Sequence, residues 1–283
     1  MRGLRRGAVI GARRSGTNDS FVASTCTNES FVPNGEGDGE GAGDGVGEQH
    51  GGGPDGELSV SIIVPVRDEE AGIETTLRAL RTAFGDCELI VVDGGSRDAT
   101  VARAEPHATV LHADGGRGPQ LNAGAAAARG DVLWFVHADA QLDPGALPAL
   151  RAALADERVV GGGCRLRFDR TGPVLRWLQW TSNLRARHLH WIFGDQAMFV
   201  RRSTFDEVGG FPEIPIMEDL EMSRRLARRG RLAVLPTPCT ASARRLVDQG
   251  PARMLVLMQL YKLQYFLGVD PHTIRRRYEA RHR

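Results

Sequence analysis

From residue 60 onward, short apolar runs alternate with stretches of helical periodicity, and this rhythm constrains the fold more than any other feature of the chain. Residues 60–64 (Val-Ser-Ile-Ile-Val), 89–92 (Leu-Ile-Val-Val), 109–112 (Thr-Val-Leu-His) and 132–136 (Val-Leu-Trp-Phe-Val) have the length and β-branched content of buried strands. Between them, residues 69–84 place Ile73, Leu77, Leu80 and Phe84 at helical spacing, residues 98–104 form a short helix, and residues 120–128 form an Ala-rich one. Strands that recur about every 20 to 25 residues with a helix in each gap predict an α/β fold, with a mostly parallel central sheet and helices on both faces. In such sheets, chemistry gathers at the carboxyl ends of the strands.

Three groups of acids fall at the ends of elements. Asp93 closes the second run, Asp139 follows the fourth within Val136-His137-Ala138-Asp139, and Glu218-Asp219 opens a helical pattern carrying Leu220, Met222 and Leu226. Acids placed there suit a divalent metal and a phosphorylated ligand. Other α/β chemistries lack their signatures. The first run leads into Pro65-Val66-Arg67-Asp68-Glu69-Glu70 without a Gly-x-Gly-x-x-Gly turn, and the chain has no Gly-x-Ser-x-Gly elbow and no Gly-x-x-x-x-Gly-Lys-Ser/Thr loop.

Composition narrows the classes further. A chain of 283 residues with 41% hydrophobic residues can bury one large core or two small ones. A net charge of +1 offers no bulk attraction to nucleic acid, and Lys262 is the only lysine among 36 basic residues. Cys26, Cys87, Cys164 and Cys239 have neither metal-ligand spacing nor the density of a disulfide scaffold, so a reducing cytoplasm is expected. Residues 1–57 differ from the rest. Five arginines lie in residues 1–14, and the apolar piece Ala8-Val9-Ile10 is too short for a signal-peptide core. Residues 34–57 carry seven acids and no Lys or Arg in a Gly-rich run that cannot bury enough apolar surface to offset its ordering entropy. Residues 1–57 are therefore expected to be a disordered low-complexity segment, either a functional tail or the product of an upstream start codon. Residues 58–270 are expected to form the catalytic domain, and 271–283 a basic tail.

The motifs Val64-Pro65-Val66-Arg67-Asp68-Glu69-Glu70, Val91-Val92-Asp93-Gly94-Gly95-Ser96-Arg97-Asp98, Asn122-Ala123-Gly124, Val136-His137-Ala138-Asp139 and Glu218-Asp219 occur in the order found in family 2 glycosyltransferases of the GT-A fold, which the chain resembles. Gly194-Asp195-Gln196-Ala197 and Gly209-Gly210-Phe211-Pro212 extend the likeness. Within the family, the chain is most similar to a bacterial subgroup associated with arsenosugar biosynthesis, and more distantly similar to transferases that glycosylate carotenoid acids. The resemblance implies an inverting transfer from a nucleotide-diphosphate sugar. Asp139 would hold Mn²⁺ or Mg²⁺ against the departing diphosphate, a role in which one carboxylate can suffice because phosphate and water complete the shell of a hard ion. Asp93, Glu69, Pro65 and His137 would form the nucleotide pocket, with His137 standing where the family has the first acid of Asp-x-Asp. Arg117 would pair with diphosphate and Asn122 would orient a sugar hydroxyl. Asp219 would act as the general base beside Glu218, and Asp195 and Gln196 would face the acceptor.

Each of these residues also has a plainer use. Asp139 can cap a helix, Asp93-Gly94-Gly95-Ser96 can be a capped turn, Arg117 can be solvated, and Glu218 and Asp219 can be favourable first-turn charges. Residues 252–267 are too short and too charged to span a bilayer, so they either lie on the cytoplasmic face of a membrane beside a lipid acceptor or pack on the core. Trp177, Trp180 and Trp191 either line an acceptor groove or fill the core. The acceptor is expected to be a small molecule or a lipid bearing a hydroxyl or carboxyl group. Two rival classes remain open: a sugar nucleotidyltransferase, which should carry a Gly-rich Arg and Lys loop after the first strand, and a nucleotide-sugar-binding protein without turnover.

Overall fold

The computed structural model describes residues 57–280, so the disorder expected for residues 1–57 lies, except for Glu57, outside the described residues. The first four strands are β1 (Val60–Val66), β2 (Glu88–Asp93), β3 (Thr109–His112) and β4 (Val132–Phe135), separated by the helices α1 (Ile73–Ala83), α2 (Thr100–Ala104) and α3 (Arg117–Ala127). They pair in parallel in the order β3-β2-β1-β4. The chain winds outward from β1 to β3 and then crosses back to place β4 on the other side of β1. This reversal opens a crevice beyond the carboxyl ends of β1 and β4.

The alternation along β1 and β4 explains why both faces are covered. Val60, Ile62, Val64 and Val66, with Val132, Trp134 and Val136, face a core completed by Ile73, Leu77 and Leu80 of α1. Ile63, Leu133 and Phe135 face the opposite core, where Leu121 and Ala125 of α3 pack. Trp134 is fully buried, its ring 5.2 Å from Phe84, and its Nε1–H donates to the Ala197 carbonyl at 3.1 Å. The indole thus buries a large apolar surface without leaving its one donor unpaired.

The second half of the chain extends the sheet. It supplies β5 (Gln141–Leu142), α4 (Ala146–Leu154), β6 (Val159–Phe168), α5 (Pro173–Leu189), a 3₁₀ turn at Gly194–Gln196, β7 (Phe199–Arg201), α6 (Arg202–Glu207), α7 (Glu218–Ala227) and β8 (Arg231–Ala241). β7 joins β4 antiparallel, and β6, β8 and β5 follow, giving an eight-stranded, mostly parallel α/β sheet. The last elements are α8 (Arg244–Asp248), α9 (Pro251–Phe266) and α10 (Pro271–Ala280). The segment expected as a basic tail is helical through Ala280. Ile274 of α10 is fully buried with Met254, Leu257 and Tyr261 of α9, and Tyr261 and Tyr278 meet edge to face at 6.0 Å.

Two boundaries differ from expectation for a local reason. α1 begins at Ile73 rather than at Glu69, because residues 68–70 are bonded sideways to the loop after β2: Asp68 Oδ1 accepts from Arg97 N–H, Glu69 N–H donates to Thr100 Oγ1, and Glu70 Oε2 accepts from Ala99 N–H. α3 begins at Arg117, three residues before the expected start, with Pro119 in its first turn, where a missing N–H costs no helical bond.

Candidate active site

The fourth strand delivers its motif onto a pinned turn. Val136 N–H donates to the Ile63 carbonyl at 3.0 Å as the last rung beside β1, and Ala140 N–H then closes back on the His137 carbonyl at 3.1 Å. Thr76 Oγ1 of α1 donates to the Ala138 carbonyl at 2.6 Å. The side chain of Asp139 projects from this turn, exposed, and makes no hydrogen bond or ion pair among the described residues. A carboxylate fixed in position and unspent on protein fits a hard divalent cation with one protein ligand.

Pro65, Arg117, His137, Gly194, Glu218 and Asp219, drawn from five separate segments, line one cleft, whose floor is Leu121, Phe135, Val136, Met198 and Phe211. Gly194 N–H donates to Asp219 Oδ2 at 2.9 Å, which ties the 3₁₀ turn to the start of α7. The His137 ring lies against Gly194, so closely that a Cβ at 194 would meet its Nε2 and the ring would have to shift. Arg117 reaches toward Glu218, Nη1 to Oε1 3.9 Å. Glu218 is buried, and burial first, then the charge of Asp219, push its carboxyl up to about 7 against the opposing pull of Arg117.

Asp93 closes β2 almost fully buried. Its carboxylate accepts from Gly95 N–H at 3.0 Å, from Ser96 N–H and Oγ–H, and meets His112 Nδ1 at 3.3 Å. Burial works against its ionisation, but the Ser96 and Gly95 hydrogen bonds outweigh it and hold the carboxyl below its ordinary value. The capped turn read from Asp93-Gly94-Gly95-Ser96 therefore exists, and it sits on the rim of the crevice. Glu69 lies on the facing loop.

Asn122 has a structural task. Its Oδ1 accepts from Phe211 N–H at 2.8 Å and its Nδ2 donates to the Phe211 carbonyl at 2.9 Å, so both ends of the amide hold the loop at Gly209 and Gly210. Gly210 has φ +70°, and a side chain there would strike Asn122 Oδ1. Each end of the amide keeps one further hydrogen-bonding position, so this task does not decide whether Asn122 also meets a sugar hydroxyl. Gln196 is likewise buried, its Oε1 3.4 Å from Phe193 N–H and Arg185 Nη2 and its Nε2 3.3 Å from the Cys164 carbonyl. Asp195 differs: its Oδ1 is shut off from solvent with no hydrogen-bond partner among the described residues, and burial raises its carboxyl to about 6 despite Arg185.

Sequence reasoning passed over Gln120, whose buried Nε2 donates to the Val66 and Val92 carbonyls at 3.0 and 2.8 Å and locks the ends of β1 and β2 together. It also missed Arg185 and Phe193, which sit behind Asp195 with the guanidinium 3.8 Å from the ring centre. No spacing signals either residue. Trp177 and Trp180 are exposed at 50% and 61%, neither core nor cleft, whereas Trp191 stacks on Phe266 at 5.1 Å.

Backbone strain gathers here as well. Among the described residues, the non-glycine positions with positive φ are Asp68, His190, Ala197 and Met217, and each borders a segment that builds the crevice. Such conformations cost about 1–3 kcal/mol each and concentrate at functional sites.

This sheet, with its crevice at the β1–β4 reversal and its acids on the strand ends, is the GT-A fold of glycosyltransferases. Residues 61–210, just over half of the chain, match the model of glycosyl transferase family 2, and the chain belongs to that family. It is 38% identical over 86 residues to an uncharacterized glycosyltransferase of Mycobacterium tuberculosis, covering 28% of this chain and 33% of the relative. It is 32% identical over 138 residues to the undecaprenyl-phosphate 4-deoxy-4-formamido-L-arabinose transferase of Pseudomonas paraeruginosa, covering 44% of this chain and 40% of the relative. The chain thus spans between a third and two fifths of the length of these relatives. In fold it is similar to the mannosyltransferase PcManGT of Pyrobaculum calidifontis in complex with GDP-Man and Mn²⁺, with a TM-score of 0.55 at 22% identity over 68% of this chain and 61% of the other.

Proposed function

We propose that the protein is an inverting, metal-assisted glycosyltransferase that moves a sugar from a nucleotide-diphosphate donor to a hydroxyl or carboxyl group of a small or lipid-like acceptor. The observation that carries this reading is the convergence of Pro65, Arg117, His137, Glu218 and Asp219 on one cleft, with the unspent carboxylate of Asp139 following His137 by two residues. In this reading Asp139 holds Mn²⁺ or Mg²⁺, whose chemistry when bound is to draw charge from the diphosphate oxygens as the glycosidic bond breaks. Arg117 faces the same diphosphate charge. Asp93 and Glu69 shape the base pocket, and Pro65 and His137 border the ribose and diphosphate.

Asp219 takes the proton of the acceptor oxygen as that oxygen forms its bond to the anomeric carbon, while the carbon's bond to the diphosphate breaks on the opposite side and the diphosphate leaves with the electron pair. The Gly194 N–H bond aims the Asp219 carboxylate, and Glu218 and Asp195 flank the acceptor. The similarity to the undecaprenyl-phosphate 4-deoxy-4-formamido-L-arabinose transferase of Pseudomonas paraeruginosa supports a membrane-borne acceptor and peripheral contact at the cytoplasmic face. The narrower likeness to the arsenosugar-associated subgroup belongs to this proposal and rests on the motifs quoted above.

Calorimetric titration of UDP, GDP and dTDP with Mn²⁺ or Mg²⁺ tests the reading. One nucleotide is expected to bind only with metal, and Asp139→Ala is expected to abolish that binding. Asp219→Asn should bind the same nucleotide normally while lowering turnover by about 10² to 10⁴. A folded wild-type protein that binds none of the three would overturn the proposal.

A further inference from the structure

The chain's sole lysine lies in a revealing place. Lys262 projects from α9 toward Phe193, Nζ 5.9 Å from the ring centre, while Arg185 of α5 covers the same ring at 3.8 Å. Phe193 immediately precedes Gly194, the residue bonded to Asp219, so two cations from different helices meet beside the proposed base. Neither forms an ion pair among the described residues. Arg185 is instead bonded to neutral oxygens, with Nε 3.2 Å from the Trp191 carbonyl and Nη2 3.4 Å from Gln196 Oε1.

Burial weakens every charge in this corner. Burial, with the charge of Arg185 adding to it, lowers Lys262 to about 8, and burial lowers Arg185 as well. The carboxylate that acts on both is Asp195, itself raised to about 6. Asp219 also acts on Arg185, but it is the proposed base and is engaged by the Gly194 and Leu220 N–H groups. Two half-buried cations gathered around one aromatic ring, neither in an ion pair among the described residues, are stabilised by an anion that arrives from outside.

We propose that Arg185 and Lys262, set over Phe193 beside Asp219, form a subsite for a phosphate-class anionic group on the acceptor. A planar guanidinium and a point-charge ammonium suit the several oxygens of a phosphate. Assigning that phosphate to the acceptor rests on the transferase reading; the anion site itself does not. The group comes either from a soluble phosphorylated molecule or from a lipid headgroup, and the chemistry that recognises it is the same.

Because Lys262 is the only lysine, reductive ¹³C-methylation of the full chain labels it and the terminal amine alone, and NMR follows both. Inorganic phosphate, titrated against chloride at equal ionic strength, is expected to shift the Lys262 signal and raise its pKa by about one unit while the terminal amine follows ionic strength only. Arg185→Gln should weaken that response about tenfold. A response to inorganic phosphate supports a soluble source. A response to dodecyl phosphate, kept below its micelle concentration, without one to phosphate supports a headgroup source.

Equal response to phosphate and chloride, or none to either phosphate probe, overturns the subsite. UDP or GDP with Mn²⁺ that competes for the Lys262 response overturns its assignment to the acceptor and gives it to the donor. Nucleotide binding without an anion response sinks the subsite and leaves the transferase reading intact; an anion response without nucleotide binding does the reverse. Should Arg185→Gln fail to fold, the wild-type titration against chloride decides alone.

Discussion

Glu218 is a carboxyl held where its charge is disfavoured: its side chain is buried at the start of α7, with Asp219 beside it, and Arg117, at 3.9 Å, and more weakly Arg275 compensate in part. The fold therefore binds the proton more tightly than the unfolded chain does. A group whose pKa rises on folding gives stability that is full below its ordinary value, 4.5, and is lost as pH climbs through the folded value of about 7. Glu218→Gln keeps the shape and removes the titration. We expect the variant and the wild type to be close in stability at about pH 5, and the variant to be more stable at about pH 8 by roughly 1–3 kcal/mol, reduced from the full linkage value because Arg117 loses a partner. Denaturant unfolding at both pH values checks this. Parallel profiles for the two proteins would show that the burial of Glu218 does not govern its protonation. The helix start still favours negative charge, so the first-turn acids read from sequence are compatible with both uses.

At the scale of elements, the crevice is built by side chains that hold backbone. Asn122 of α3 clamps Phe211 through both ends of its amide, and that loop carries Gly209 and Gly210 at φ +75° and +70°. Asn122→Ala leaves the Phe211 N–H and carbonyl without these partners, and we expect a loss of about 1–3 kcal/mol in unfolding free energy. Because Phe211 also lines the cleft, nucleotide affinity should fall with it. A variant of unchanged stability would mean that the loop is held by its Phe135 and Phe205 ring contacts alone. The same clamp marks the limit of what the sequence could disclose. Strands β1, β2 and β4 were legible because parallel strands buried on both faces read as continuous apolar runs. β3 falls at residues 109–112 as expected but is the half-exposed edge strand of the sheet rather than a buried one. The acids at strand ends were legible because topology fixes where those ends lie. Side-chain contacts between distant segments carry no such signal. Nothing in the spacing of Asn122 and Phe211, 89 residues apart, distinguishes a loop clamp from a sugar contact, and nothing near Arg185 announces that α9 will bring Lys262 to the same ring.

On the whole molecule, α5 and α9 touch each other and together present an apolar surface. Trp177, Trp180 and Leu184 recur at helical spacing on α5; Val256, Leu260 and Leu263 do so on α9, and Leu267, 73% exposed, continues the stripe. Neither helix contains a carboxylate, whereas exposed Arg176, Arg187 and Arg253 flank the stripe. Among the described residues no helix is long and apolar enough to cross a membrane. Exposed tryptophans with neighbouring arginines suit the headgroup region of anionic lipid, and the proposed transfer to a lipid-like acceptor would gain from a cleft held at that depth. We therefore expect the protein to sediment with vesicles containing about 30% phosphatidylglycerol and far less with pure phosphatidylcholine, and to be released in part by salt, because the Debye length shrinks to about 3 Å at 1 M. Joint substitution of Trp180→Ser and Leu263→Ser should cut vesicle binding about tenfold or more and leave nucleotide binding untouched. Equal partitioning of the variant and the wild type would show that the stripe is not the contact. Binding that survives on neutral vesicles at high salt would assign it to the apolar residues alone and remove the arginines from the argument.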